Sequence, residues 1–363
     1  MMHPRPLEGI RVVDLSQYIA GSACSQVLAD FGAEVTKVEP LTGDPARSLG
    51  PSAEGSTYFR HYNTGKRSVT IDLADPADRL RLDDLLGEAQ AVVMNFSPRT
   101  LRKHALDWET LHSRFPDLTV VVVTAYGYGD ERTAFDSIAQ AVSGFGYLNA
   151  DEHGTPRISA GYPTDVFSGL YAALSTAMAL LDPRRNGGTL VDVPMLDVAM
   201  SALCGPQLLA ALADGVVSPG TGNRDAATAP SSIYPCLDGH AYVYAGLDKH
   251  WRVLAPLVGG PDVGIAERLA DRDTFDALVE SWTRTRTVAE VCTAMAEMGI
   301  PAGPVHDPLT ALRLAEASDR GAVVQRDDQG RAVPQFPVVF DGRRIPREAA
   351  PDLPTRIVPN GAS

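Results

Sequence analysis

Hydrophobic positions fall in short runs separated by amphipathic stretches. Ile10–Leu15 is an apolar strand, Gly21–Asp30 a helix ending at Phe31-Gly32, and Glu34–Glu39 a second strand. This is a βαβ unit of about 30 residues. Arg67–Asp72, Ala91–Asn95 and the β-branched run Leu118–Thr124 read as further strands. Between them, Pro76–Gly87, opened by Asp75-Pro76, and Leu106–Arg114 read as helices. Val166–Leu181 carries almost no charge and predicts a core helix. Thr189–Val193 follows the turn Asn186-Gly187-Gly188, and Leu196–Leu212 predicts another apolar helix. Strands alternating with helices predict an α/β fold, with an open sheet covered on both faces.

The pattern changes after residue 200. Gly215–Pro230 is rich in Gly, Pro, Ser and Thr, and Tyr234–Ala245 reads as a hairpin around Asp238-Gly239, with short helices through Met298. The expected domains are a large α/β domain over 1–200, a linker over 201–222 and a small α+β domain over 223–300. Gly299–His306 marks the exit, 301–363 returns to the large domain, and Pro351–Ser363 is expected to be loosely ordered.

The chain of 363 residues is 44% hydrophobic and 21% charged, with a net charge of −13. Nucleic acid is excluded as a partner, because phosphate backbones need a basic face. An acidic chain can still hold one anionic ligand through a few local cations. Cys24, Cys204, Cys236 and Cys292 are widely spaced, so neither a metal site nor a disulfide framework is expected, and a cytoplasmic location fits. The N-terminal residues lack an apolar signal core. Val166–Leu181 is short for a membrane span and interrupted by Ser168, Gly169, Ser175 and Thr176, so no membrane association is expected.

The first strand–helix connection, Ser16–Ala23, holds a single glycine, and Glu39 stands where a dinucleotide-binding carboxylate would. Without G-x-G-x-x-G a pyrophosphate cannot approach that backbone, which argues against a nicotinamide enzyme. Walker A and G-x-S-x-G motifs are absent as well. Lys37, Arg47, Lys66-Arg67, Arg99 and Arg102-Lys103 lie near strand ends, where together they could hold a polyphosphate; singly each reads as surface charge. The sharpest feature is Asp165, ahead of Ser168-Gly169. Thr164 and Asp165 are good N-cap residues, and a carboxylate at exposed helix amides is expected to stay ionised and act as a nucleophile toward an activated acyl group. The plainer role of Asp165 is a helix cap.

Several stretches carry a resemblance. They are Leu7–Ser16, Leu28–Pro40 with Gly43-Asp44 and Arg47, Asn63–Leu73, Asn95-Phe96, Ala125-Tyr126-Gly127, Asp165 with Ser168-Gly169, and Gly299–Val305. In this order they resemble the family III coenzyme A transferases, the group of formyl-CoA and carnitine-CoA transferases and α-methylacyl-CoA racemases. The resemblance implies a large Rossmann-like domain built from both chain ends, a small inserted domain and an interlocked homodimer. It implies coenzyme A and acyl-CoA as substrates, a carboxylic acid acceptor and no permanently bound cofactor. It places the catalytic carboxylate at Asp165, which attacks the thioester to form an anhydride and then an aspartyl-CoA thioester, with the turn Val166–Gly169 as a candidate oxyanion donor set. CoA contacts are implied at Gln17, Tyr18, Ala20, Lys37, Arg47, Ile71, Leu73, Asn95, Phe96, Lys103 and Tyr126, with Ile71 and Leu73 flanking the adenine.

Departures from the family pattern select the reaction. The racemases pair the aspartate with a histidine, because deprotonation and reprotonation on opposite faces need two groups. Here Phe135 takes that position, beside Asp136. Ile19 replaces the glutamine of the oxalate-handling members, and Thr221–Thr228 replaces their tetraglycine loop. This disfavours oxalate and favours a less polar acyl group. Ser97 stands where an arginine is common, and Arg99 is a candidate substitute. The leading expectation is a CoA-transferase. The alternatives are an acyl-CoA isomerase, racemase or lyase using Asp165 as acid/base, and a non-catalytic acyl-CoA-binding homologue.

Overall fold

The structure, a computed structural model, describes residues 4–354 apart from 216, 218–219 and 319–321. Parts of the expected linker and loosely ordered tail thus lie outside the described residues. The chain forms two compact units. One draws on Met1–Phe145, Ile158–Gly215 and Leu312–Ser363, the other on Gly146–Arg157 and Val216–Ala311.

The first unit is built on six parallel strands: β1 (Arg11–Asp14), β2 (Glu34–Glu39), β3 (Arg67–Thr70), β4 (Ala91–Met94), β5 (Thr119–Thr124) and β6 (Leu190–Pro194). Their order is β3-β2-β1-β4-β5-β6, a doubly wound sheet whose direction of growth reverses between β1 and β4. Successive side chains alternate between two cores, as the period of a strand demands. Val12, Ala91, Val93, Val121 and Val123 face one layer, and Val13, Val92, Met94, Val120 and Val122 face the other. The second core is closed by Leu82 and Leu86 of α3 (Pro76–Glu88), Leu101 of α4 (Pro98–Lys103) and Leu111 of α5 (Trp108–Arg114). The helices were preceded by α1 (Ala20–Asp30) and α2 (Thr57–Tyr62). After β5 come α6 (Asp136–Val142), the short α7 (Phe145–Leu148) and α8 (Pro163–Leu181).

The first core is closed by α1 and α8, which meet at Gly169. A Cβ there would lie 2.7 Å from the Ala20 carbonyl oxygen and 2.7 Å from Ala23 Cβ. Only a glycine allows α8 to ride this close to the α1 backbone. The Ser168-Gly169 step is therefore a packing device, and it sets Asp165, one turn earlier, beside the start of α1. Gly21 serves α1 similarly, since a Cβ on it would meet Ser16 Cβ at 2.3 Å.

Two helical expectations are corrected. The apolar run Leu196–Leu212 forms two helices, α9 (Met195–Leu203) and α10 (Gly205–Asp214), with a bend of 78° between them. Gly205-Pro206 starts a new helix because proline is accepted in a first turn and breaks an interior one. Helix α8 is a core helix on one face only. Ser168, Gly169, Ala172, Ala173 and Thr176 are buried, whereas Phe167, Leu170, Tyr171, Leu174, Met178 and Leu181 are exposed. By length and composition α8 is long and apolar enough to cross a membrane.

The second unit carries an antiparallel sheet of β7 (Ser231–Pro235), β8 (His240–Tyr244) and β9 (Ala302–Pro304). The segment expected to mark the exit thus contributes a strand. Helices α11 (Asp248–Val258), α12 (Ile265–Ala270), α13 (Arg272–Thr283) and α14 (Val288–Glu297) follow in this unit, and Trp251, Leu254, Val279, Val291 and Met295 fill its core.

Substituting Gly169→Val should push α8 off α1 and cost about 1–3 kcal/mol of unfolding free energy, as overpacking does. Urea denaturation of the purified variant measures it, and an unchanged midpoint would mean the helices are not in this register.

Candidate active site

The site grows from the carboxyl ends of β1 and β4, where strand order reverses and a crevice opens. The two following loops are tied together reciprocally. Gln17 N–H donates to Asn95 Oδ1 at 2.9 Å, and Asn95 Nδ2 donates to the Gln17 carbonyl at 2.7 Å. Asp44, in the loop after β2, accepts the Tyr18 N–H at 3.3 Å. Tyr18 has a left-handed φ of 62°, a conformation that costs a non-glycine residue energy and is held here by these bonds.

A cavity of about 390 Å3 is lined by Gln17, Tyr18, Ile19 and Ala20 from the first loop, Asn95 and Phe96 from the second, and Phe135, Asp165 and Met195. A second cavity, of about 500 Å3, shares Gln17, Phe96 and Thr100 with it and adds Ile71 and Leu73. Seven expected contact residues thus converge on one connected crevice with Asp165. Tyr126 lies at its margin, under the Arg132 guanidinium at 3.9 Å, and Arg132 itself lines the first cavity. Lys103 is exposed on α4 and lines neither cavity.

The remaining expected cations lie elsewhere. Lys37 has no exposed side-chain surface. Its ammonium donates to the Ser16 carbonyl at 2.7 Å and pairs with Asp44 at 3.0 Å and Asp14 at 3.6 Å. Lys66 is equally enclosed and pairs with Asp14 at 2.9 Å. Burial acts to lower the Lys37 pKa, but Asp14 and Asp44 more than offset it and leave it raised. Lys66 is brought down to about 8, chiefly by burial. Arg47 grips Glu39 with two nitrogens, both at 2.7 Å, and lies over the Phe59 ring. Arg67 opens β3 and so stands at the opposite end of the sheet. Lys37, Lys66 and Arg47 brace the loops from beneath, a function that charge and position in the sequence could not separate from phosphate binding.

Helix α8 starts differently from expectation. It begins at Pro163, and its cap comes from α6: Asp136 Oδ1 accepts the Thr164 N–H at 2.8 Å, the Thr164 hydroxyl at 2.5 Å and the Asp165 N–H at 3.3 Å. Tyr162 precedes it at φ 51°, with its hydroxyl 3.0 Å from that of Tyr58. The Val166 N–H donates to the Tyr162 carbonyl at 3.1 Å, and 167–169 lie inside the helix. The Val166–Gly169 amides are thus consumed by helical bonds and are not free oxyanion donors. The expectation that Asp165 stays ionised also fails, because burial first, and then the charge of Asp136, push its carboxyl up to about 7. Its oxygens accept no hydrogen bond among the described residues, so the carboxylate faces the crevice unengaged. Asp136 was visible in the sequence, but its role was not, since the cap reaches across 28 residues.

Folded Asp165 binds its proton more tightly than the unfolded chain does, so its contribution to stability is full below about pH 4 and is lost as pH rises through about 7. Asp165→Asn should therefore be more stable than the wild type at pH 8, by roughly 2–4 kcal/mol, with the gap closing toward pH 4. Urea melts at pH 8 and pH 5 test this.

A family model described as CoA-transferase family III matches residues 7–356. The succinyl-CoA–D-citramalate CoA-transferase of Chloroflexus aurantiacus is 34% identical over 322 residues, covering 84% of this chain and 79% of that protein. The succinyl-CoA:mesaconate CoA-transferase of Haloarcula marismortui is 31% identical over 345 residues, covering 89% and 86%. A crystal structure of a CAIB/BAIF family protein from Brucella suis superposes with a TM-score of 0.85 at 29% identity, covering 97% of each chain. With its parallel sheet and crevice, the chain belongs to CoA-transferase family III.

Proposed function

We propose that the chain moves coenzyme A from an acyl-CoA to a free carboxylic acid through covalent intermediates on Asp165. The observation that carries this is the unengaged, largely buried Asp165 carboxylate facing the crevice at the β1/β4 reversal. An Asp165 oxygen attacks the thioester carbonyl, the C–S bond breaks, and CoA thiolate leaves a mixed anhydride. The thiolate then attacks the aspartyl carbonyl, forming an aspartyl thioester and releasing the donor acid. The acceptor carboxylate attacks that thioester and expels the thiolate, giving a second anhydride. The thiolate attacks the acceptor's acyl carbon, which completes the new acyl-CoA and restores the Asp165 carboxylate.

In this reading Ile71 and Leu73 flank the adenine, and Gln17, Tyr18, Ala20, Asn95, Phe96 and Tyr126 border the pantetheine path. Lys37 and Arg47 act by shaping the loops, and Lys103 reaches the phosphates from outside. The first turn of α1, whose amides a helix leaves unpaired, borders the same cavity and is the favoured oxyanion donor. The relatives' succinyl-CoA and dicarboxylates set the substrate class to test first. Ile19, Phe135 and Met195 favour an acyl group with an apolar body. Racemisation lacks support, because Asp136 is committed to capping α8 and Phe135 lines the cavity where the racemases carry their histidine.

The chain acts as a homodimer in this reading, with the exposed face of α8 covered by a second copy. Contiguous apolar surface of this kind marks an interface. A cytoplasmic location fits the four free cysteines.

Asp165→Ala should lower kcat for CoA exchange by roughly 10^3-fold or more while retaining acyl-CoA binding. Intact-protein mass spectrometry after acyl-CoA addition should show a CoA adduct that borohydride reduces or hydroxylamine removes, mapping to Asp165. Exchange in the wild type should fall about tenfold per pH unit below about 7, as the nucleophile takes up its proton. Full exchange by the variant would exclude this mechanism. For the dimer, sedimentation should give twice the chain mass for the wild type and the single mass for Leu174→Arg; a monomeric wild type would overturn it.

A further inference from the structure

Asp136 has no step in this chemistry, yet it is the more unusual carboxylate. It is 3% exposed and, among the described residues, has no cationic partner. A buried charge without a counter-ion is costly. What Asp136 meets is the amino end of α8, through the Thr164 and Asp165 amides and the Thr164 hydroxyl. Its other oxygen accepts Gln140 Nε2 at 2.5 Å. Gln140 also takes the Ser159 N–H at 2.8 Å and donates to the Ser159 carbonyl at 3.0 Å. One turn of α6 thus fixes both the approach to α8 and its first turn.

A helix has one positive end, and an anion seated on it takes the stabilisation. Asp165 lies within that first turn but points its carboxylate into the crevice. We propose that Asp136 is a positioning residue for CoA transfer: it fixes the Asp165 backbone and occupies the positive end of α8, so the Asp165 anion goes without that stabilisation. The inference rests on Asp165 being the nucleophile. A carboxylate left unstabilised is more basic and attacks a thioester more readily. Once Asp165 is acylated or thioesterified it is neutral, and its repulsion with Asp136 ends. The arrangement therefore favours the covalent intermediates over the free enzyme.

The other groups around Asp165 do not supply this effect. From α2, Tyr62 is raised to about 12 by burial and then by Asp165 itself, so it is neutral. Tyr162, at the entry of α8, is likewise raised, chiefly by its bond to Tyr58. In α1, the buried Cys24 thiol is pushed up to about 12 by burial. Helix α9 presents Met195 to the crevice, and its Asp197 is exposed. Arg132 lines the crevice with its guanidinium held by Asp130 at 2.7 Å.

The test is a pH titration of the Asp165 carboxyl by carbon NMR on protein labelled at the aspartate γ-carbon, with the signal assigned by its loss in Asp165→Asn. The wild-type signal should titrate near neutrality. In Asp136→Asn, where the amide oxygen still accepts from Thr164, the proton affinity of Asp165 should fall about tenfold or more. The acid limb of kcat should move down with it. Thr164→Val removes a hydrogen bond, keeps both carboxylates and should leave the titration in place. An Asp165 signal titrating in the ordinary carboxylate range in the wild type overturns the proposal even if Asp136→Asn does not fold. So does a signal unmoved in a folded Asp136→Asn. A coupled titration alongside undiminished exchange by Asp165→Ala would instead overturn the nucleophile assignment.

Discussion

The contact of α8 on α1 at Gly169 is the constraint from which the site follows. A missing side chain lets the two backbones close to van der Waals distance, and the contact fixes the rotation of α8 about its axis. With that rotation fixed, residues one turn apart share a face. Asp165 is turned toward the crevice, Ser168 and Ala172 go into the core, and the leucines of the opposite face are left open.

Beneath the first loop, charge does mechanical work. Lys37 and Lys66 are withdrawn from water and clasp Asp14, Asp44 and the Ser16 carbonyl. Ion pairs of this kind contribute little net stability, since desolvation cancels most of the attraction. They do impose geometry, because every ammonium hydrogen needs an acceptor in a fixed direction. The loop that carries Gln17 and Tyr18 is therefore shaped from inside the protein.

Much of this was legible in the sequence. The apolar and β-branched runs placed the strands of the large sheet to within a few residues, most sharply β4 and β5, which are buried throughout. The single glycine after β1 was legible as a tight connection, and Gly21 there packs directly on Ser16. Lys37 and Arg47 were legible as cations and illegible as buried or paired ones, because their partners Asp44 and Glu39 are set by how the loop after β2 folds back. Helix α10 was hidden by the apolar run before it, where Gly205-Pro206 outweighed periodicity. The cap from Asp136 was beyond local reading altogether, since local patterns place a cap next to its helix.

The reciprocal bonds between Asn95 and the Gln17 backbone, with Asp44 on Tyr18, have a consequence for motion. The loops after β1, β2 and β4 cannot open singly, because each borrows its polar partners from another. Their amides should exchange with solvent as one cooperative group, and the crevice should give up little conformational entropy when it is filled. Its floor would then act as a stiff gauge, holding one end of a long ligand in register with the other.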